Sequence, residues 1–202
     1  MAIVRKARGL GGRQPLAVLR RQQDAIADRL RKRINRTHSP VLARGVPWLS
    51  VILLSLTPFA PIFVSAPIVP PLAFMALLAW RMLRPGMLPV WAGAPLGAFD
   101  DLYSGQPFGS AVLLWSCAML LMELVDVRLR WRGFLQDWAL AAAFVAGYLV
   151  LATLIANLAG GAAPLRTIVP QIALAAVVHP LVTTLVAALD RLRLLPLRKV
   201  GR

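Results

Sequence analysis

Apolar residues dominate the chain from Val46 onward, in runs separated by short polar gaps. Several runs approach the ~20 residues that a helix needs to cross roughly 30 Å of hydrocarbon, and most charges lie in the gaps. The pattern predicts an all-α membrane protein, a bundle of six transmembrane helices. The predicted spans are roughly residues 46–66, 68–83, 87–102, 108–127, 134–158 and 167–190.

Prolines interrupt the first two predicted spans, of which the second is the shortest. A proline inside a helix removes a backbone hydrogen bond and clashes with the preceding turn, so kinks or a non-ideal turn are expected. The prolines concerned are Pro47, Pro58, Pro61, Pro67, Pro70 and Pro71.

Composition supports a bilayer as the solvent. Hydrophobic residues make up 58% of the 202 residues and charged residues only 15%, which is too apolar for a water-soluble domain of this size. The single cysteine, Cys117, is predicted to be a small core residue. No apolar segment typical of a cleavable signal peptide occurs near the N-terminus, so the first span is expected to direct insertion.

The distribution of positive charge predicts the orientation. When the gaps between spans are assigned alternately to the two sides, all of the 23 lysines and arginines except Arg166 fall on one side. Positively charged flanks remain in the cytoplasm. Both termini are therefore predicted to be cytoplasmic.

Residues 1–44 form a basic segment with twelve lysines and arginines against two aspartates. Apolar residues recur at helical spacing in its middle, which predicts a basic amphipathic helix that lies on anionic lipid. A partly disordered tail whose arginines only set the topology is the equal alternative. Residues 45–190 are the predicted transmembrane domain and 191–202 a short basic tail. The predicted lipid-binding residues are Arg20, Arg21, Arg29, Arg31, Lys32 and Arg33.

The segment GAFDDLYSGQPFG places two acidic residues at the predicted outer end of the third span. Four-residue spacing gives one face of small residues while the chain stays helical, and the glycines and proline that follow suit a tight turn. Asp101 lies in this stripe as a cap or turn clamp, with contact to a partner protein or binding of a small ligand or ion as alternatives. Asp100 is expected to face water. The motif comprises Gly93, Gly97, Asp101, Gly105, Pro107 and Gly109.

Groups for catalysis are sparse and scattered, so neither an enzyme, a cofactor nor a metal site is predicted. His179 precedes Pro180 and is expected to bond a neighbouring carbonyl, with a functional polar site as the alternative. Glu123 and Asp126 are expected to form local ion pairs near two following arginines, Arg128 and Arg130.

The tryptophans are distributed as in membrane proteins. Trp115 lies deep in a span and is expected to pack inside the bundle. Because the arginines follow membrane sidedness and lack interleaved aromatic residues, nucleic acid is not an expected partner. The predicted interface anchors are Trp48, Trp80, Trp91, Trp131 and Trp138.

The spacing Gly97-x-x-x-Asp101-x-x-x-Gly105-x-Pro107-x-Gly109 resembles the signature of the MreD family of bacterial rod-shape-determining proteins. The stretch GAPLGAFDDLYSGQPFGSAVLLWSCAML is similar to that family's third and fourth helices, and the proline-rich VPPLAFMALLAW also resembles it. The resemblance covers about residues 46–190. The basic segment before Val46 and the extra Asp100 depart from it.

The resemblance implies a fold like the six-helix substrate-binding subunit of vitamin-uptake (ECF-type) transporters. It also implies a non-enzymatic inner-membrane scaffold of the elongasome that binds MreC and works with MreB, RodA and a transpeptidase penicillin-binding protein in peptidoglycan synthesis. The alternative is a small-ligand-binding subunit of a vitamin-type transporter. Such a pocket needs convergent polar side chains, and the spans contain few, notably Gln171, Thr183, Thr184 and Asn157.

Overall fold

A computed structural model describes residues 40–59, 69–129 and 133–193. No strand occurs among these residues, and the prediction of an all-α protein is confirmed for them. Residues 41–195 form one compact unit. Its α-helices are α1 (Pro40–Ser55), α2 (Leu72–Leu83), α3 (Gly93–Asp101), α4 (Ser110–Arg128), α5 (Phe134–Leu158) and α6 (Val169–Arg193).

Three helical segments are long and apolar enough to cross a membrane. They are Ser110–Arg128, Phe134–Leu158 and Leu165–Arg193, the last including a short 3-10 turn before α6. The bounds of α5 coincide with the predicted fifth span, and α4 differs from the fourth by one or two residues. The last three predicted spans are thus confirmed as helices of membrane-spanning length.

The first three helices are shorter. At 1.5 Å per residue, the 16, 12 and 9 residues of α1, α2 and α3 extend about 24, 18 and 14 Å, which is less than the hydrocarbon thickness. Prolines bound them: Pro58 lies in a 3-10 turn after α1, and Pro70 and Pro71 precede α2. The count of six crossings stays a prediction.

Helix α2 lies at the centre of the bundle. Every residue from Ala73 to Arg81 is buried, and the helix packs against α5 and α6. Phe74 stacks on Tyr148 of α5 with ring centroids 4.5 Å apart, and Trp115 of α4 lies 5.8 Å from the same ring. A short helix that is apolar on all sides is typical of a buried core element.

The division of the tryptophans into interface anchors and buried residues agrees only in part with the prediction. Trp115 packs inside the bundle as expected, but Trp80 is no interface anchor, because it is fully buried and its indole N–H donates to the Ser50 hydroxyl at 2.8 Å. Trp91 is 65% exposed and packs on Trp48. Trp131 lies outside the described residues.

Candidate functional site

Helices α3 and α4 pack on each other more extensively than any other described pair, and the glycine stripe is the reason. A Cβ added at Gly93 would lie 2.7 Å from the carbonyl oxygen of Trp115, and one at Gly97 would lie 2.6 Å from that of Ala111. Both separations are below van der Waals contact, so only glycine permits this backbone approach. The predicted stripe is therefore occupied by α4 of the same chain.

Asp101 ends α3 and caps α4. Its carboxylate accepts hydrogen bonds from the backbone N–H groups of Gly109 and Ala111 at 2.9 Å and of Val112 at 3.2 Å. The Ser110 hydroxyl donates to it at 3.2 Å. The first N–H groups of a helix have no partner within the helix. The helix dipole is positive at this end, which also favours a carboxylate. One buried side chain thus joins the two helices.

The turn between α3 and α4 requires glycine twice. Gly105 has φ +68° and Gly109 φ +96°, a left-handed backbone that other residues rarely adopt. Gly105 lies beyond the end of α3, so it does not continue the helical stripe. The amide of Gln106 stabilises the turn, because its oxygen accepts from Ser110 and its nitrogen donates to the hydroxyl of Tyr148, both at 3.3 Å.

Asp100 does not face water, and that prediction was wrong. Its side chain is 9% exposed and lines a cavity of about 370 Å³ together with Ser55, Trp115 and Tyr148. The helical geometry of α3 is the cause, because successive residues of a helix point in different directions. Asp101 faces α4, whereas Asp100 faces α1, α2 and α5. Hydropathy does not distinguish these two adjacent acids.

A family model described as "rod shape-determining protein MreD" matches residues 41–191. The chain belongs to the MreD family. No curated protein and no solved structure matches it. With its three long apolar helices, the chain is a membrane protein of a family of shape-determining structural proteins, which indicates a role in rod shape determination.

The other end of the bundle carries ion pairs, both between helices and within α6. Asp190 of α6 binds Arg84 at 2.9 Å and Arg193 at 2.6 Å. Arg81, buried at the end of α2, forms an ion pair with Glu123 and lies 3.3 Å from Asp126. The local pairing predicted for these two acids therefore missed Arg81, which reaches them from a helix 42 residues earlier.

Two further residues differ from prediction. His179 does not bond a neighbouring carbonyl through its ring: Nε2 lies 3.4 Å from the Thr183 hydroxyl, and Nδ1 is buried without a partner among the described residues. Cys117 is not a core residue but is exposed on the outer face of α4. A helix apolar on all faces gives no sequence signal for which face meets lipid.

An apolar groove of about 270 Å³ runs between α4 and α5. Its lining combines Cys117 of α4 with two small residues one helical turn apart on α5, Ala143 and Gly147. Nothing lies within 4 Å of a Cβ added at Gly147. The groove therefore offers open space beside small residues, whereas the stripe on α3 offers none.

The predicted lipid-binding arginines and Lys32 lie outside the described residues. Across ranges 40–59, 69–129 and 133–193, no group of three or more His, Cys, Asp or Glu side chains is placed to hold a metal ion. Arg81, Ser110, Gln106 and Tyr148 were not singled out from the sequence. Only Ser110 had an accessible signal, since a hydroxyl in the first turn of a helix after a glycine turn is typical of capping.

Proposed function

We propose that the chain is a non-enzymatic scaffold in the bacterial inner membrane that binds MreC and, through it, works with MreB, RodA and a transpeptidase penicillin-binding protein. In this role it maintains rod shape by guiding lateral peptidoglycan synthesis. The observation that carries the proposal is the family match over residues 41–191.

The groove between α4 and α5 is the proposed docking place for MreC. Helices in lipid associate through close packing at small residues, because lipid is as apolar as their own side chains. The α3 stripe is already covered by α4, so Gly97 and Gly93 act within the chain. The groove at Gly147, by contrast, can receive a further helix.

A substitution that fills the groove tests this docking place. Gly147→Phe puts a ring where a Cβ meets no other atom, and we expect loss of MreC from the purified complex and rounding of rod-shaped cells. Val177→Phe is the matched control, because Val177 is 75% exposed on α6, away from the groove. Normal accumulation of both variants with equal MreC recovery would contradict the docking place.

We further propose six crossings, arranged as in the substrate-binding subunits of ECF-type transporters, with both termini in the cytoplasm. Support comes from the placement of arginines: Arg81, Arg84 and Arg193 lie at one end of the described bundle, and the α3–α4 turn lies at the other. Phe108 is 75% exposed in that turn, so a Phe108→Cys chain that also carries Cys117→Ala is expected to be labelled only from the outer side. Labelling from the cytoplasm would refute the orientation.

The basic segment 1–44 is proposed to bind anionic lipid through the arginines named above and Lys32. Basic residues near a membrane each contribute about 1 kcal/mol of attraction to an anionic surface. Deletion of residues 1–39 is expected to weaken binding to phosphatidylglycerol-containing vesicles and to leave binding to neutral vesicles unchanged. Unchanged binding to both would refute a lipid role.

A further inference from the structure

The cavity beside Asp100 has the dimensions of a small-molecule site. Its volume of about 370 Å³ lies near the lower end of the roughly 300–1,000 Å³ that ligand pockets have. It is formed where the end of α1, the start of α2, the end of α3 and the middle of α5 meet. Pro58 and Val69, which line it, are exposed.

The cavity contains a buried acid without a basic partner. Asp100 forms no ion pair with any arginine in the described part of the chain, in contrast to Asp190 and Glu123 at the other end. Removing a carboxylate from water is costly unless a cation or several hydrogen bonds compensate. Asp101, one residue away, has four such hydrogen bonds from α4 and its first turn, whereas Asp100 has no equivalent set.

A hydrogen-bond donor without a partner lies on the same cavity. The hydroxyl of Ser104 is buried and has no hydrogen-bond partner among the described residues, whereas the indole of Trp115 interacts with the Tyr148 hydroxyl. Buried donors are nearly always satisfied by protein, water or ligand. The position of Ser104 on the same cavity as Asp100 therefore calls for a guest that accepts a hydrogen bond as well as carrying positive charge.

Aromatic rings complete the wall of the cavity. Phe74 and Tyr148 are stacked at 4.5 Å, and Trp115 lies 5.8 Å from Phe74. The faces of such rings attract organic cations through the ring quadrupole, most strongly where water is excluded. Carboxylate and aromatic rings together favour an ammonium group over a metal ion, which would require more oxygen ligands.

We propose that this cavity binds a small organic cation bearing a hydroxyl or similar acceptor, an amino alcohol such as ethanolamine or choline. The ammonium group pairs with Asp100 against the aromatic wall, and the acceptor oxygen receives a hydrogen bond from the Ser104 hydroxyl. The same chemistry is present in a free amino alcohol and in a lipid headgroup. The groove proposed for MreC shares Phe74 and Tyr148 with this cavity but does not include Asp100 or Ser104, so variants of these two residues test the cation site apart from the scaffold role.

The test is calorimetric titration of the full chain in detergent micelles. Ethanolamine and choline are the free probes, dihexanoyl phosphatidylethanolamine is the lipid probe, and 3,3-dimethylbutan-1-ol is the neutral isostere of choline. We expect saturable binding of at least one amine probe, and binding of the isostere at least about tenfold weaker because it lacks the charge. Preference for the free or the lipid probe identifies the source of the ligand.

Variants separate the site from the fold. Asp100→Asn keeps the shape of the side chain and removes its charge, so affinity for the amines should fall by about tenfold or more. Ser104→Ala removes the hydroxyl donor and should weaken choline binding, while leaving the binding of tetramethylammonium, which has no acceptor, unchanged. Glu123→Gln is the control, since it removes one acid at the other end of the bundle and should leave affinity unaltered. Melting curves without ligand verify that each variant is folded.

Three results would overturn the proposal. They are the absence of saturable binding by every amine probe, equal affinity of the choline isostere, and amine binding by a folded Asp100→Asn chain at wild-type strength. If the wild-type chain binds no amine and the Asp100→Asn chain no longer co-purifies with MreC, the acid contacts a basic side chain of a protein partner. The cation site is then refuted. The Gly147→Phe experiment tests the groove by MreC recovery, so its result does not depend on whether amines bind beside Asp100.

Discussion

The two ends of the bundle hold their charges in different ways. The arginine end is defined by Arg81, Arg84 and Arg193 with the acids that contact them. Arg81 and Arg84 pair with acids of other helices, and Arg193 pairs with Asp190 within α6. At the aspartate end, defined by Asp100 and Asp101, no described arginine contacts either acid. Asp101 is stabilised instead by backbone N–H groups of the following helix.

The difference shows that a carboxylate at the edge of a membrane bundle does not need a cation. Backbone donors at a helix start are available at a fixed distance along the chain, and Asp101 reaches residues only 8 to 11 positions away. The ion pair between Arg84 and Asp190 joins residues 106 positions apart. The hydrogen bonds at the aspartate end are thus local, whereas the pairs of Arg81 and Arg84 at the arginine end depend on the assembled bundle.

The largest expected effect comes from removing the cap at the aspartate end. Asp101→Ala leaves several buried donors of α4 without a partner, each at a cost of about 1–3 kcal/mol, so we expect a loss of about 4–6 kcal/mol. Thermal unfolding of purified protein and its steady-state amount in the membrane measure this. Asp101→Asn should retain part of the stability through its amide oxygen. A fully stable Asp101→Ala chain would show that the carboxylate is not a cap.

The second-largest loss of stability is expected at the arginine end. Asp190→Asn leaves two arginines without their shared carboxylate, and since the Asp190 side chain is only 7% exposed we expect a loss of about 2–4 kcal/mol. Arg84→Gln is the matched comparison. The Arg84 side chain is 50% exposed, so its removal should cost less than about 1 kcal/mol. Equal melting temperatures for the two variants would contradict the ranking.

The close contact between α3 and α4 at the aspartate end can be tested by adding one methyl group at Gly97. Gly97→Ala places a Cβ 2.6 Å from the Ala111 carbonyl oxygen, and we expect a loss of about 1–3 kcal/mol from the forced separation of α3 and α4. Gly147→Ala adds the same methyl group where no atom lies within 4 Å, so its greater helix propensity should leave stability unchanged or slightly higher. Unfolding temperatures that shift together would disprove the packing argument.

The smallest effect is expected at Glu123. Its side chain is 50% exposed, and Asp126 remains near Arg81 when Glu123 is replaced. Glu123→Gln should therefore change stability by no more than about 0.5 kcal/mol, measured by thermal unfolding at low and high salt. A large, salt-sensitive loss would mean that the arginine end relies on this pair more than on Asp190.

Much of the helical structure could be predicted from the sequence. The apolar run 134–158 coincides with α5, and the glycine and aspartate spacing predicts a tight α3–α4 corner. The burial of Asp100 and the exposure of Cys117 could not be predicted. Both depend on which face of a helix meets its neighbours, and the apolar composition around these helices carries no such signal.

The lengths of α1 and α2 could also be predicted only in part from the sequence. Pro58, Pro70 and Pro71 lie outside α1 and α2 as predicted, whereas α1 continues through Pro47. Hydropathy also extends the spans beyond the helices that form. Apolar residues in a turn and in a helix contribute equally to a hydropathy average. Only backbone hydrogen bonding separates the two, and it ends α1 at Ser55 and starts α2 at Leu72.

The sequence by itself determined that the chain is helical and apolar, where its glycine turn lies, and to which family it belongs. Local features suffice for these, because turn glycines, helix caps and apolar runs act over a few residues. The tertiary structure alone decided that α2 is the buried centre, that Arg81 meets Glu123, and that Asp100 lines a cavity. In lipid, the inner and outer faces of a helix are equally apolar, so only the packing of helices against one another distinguishes them.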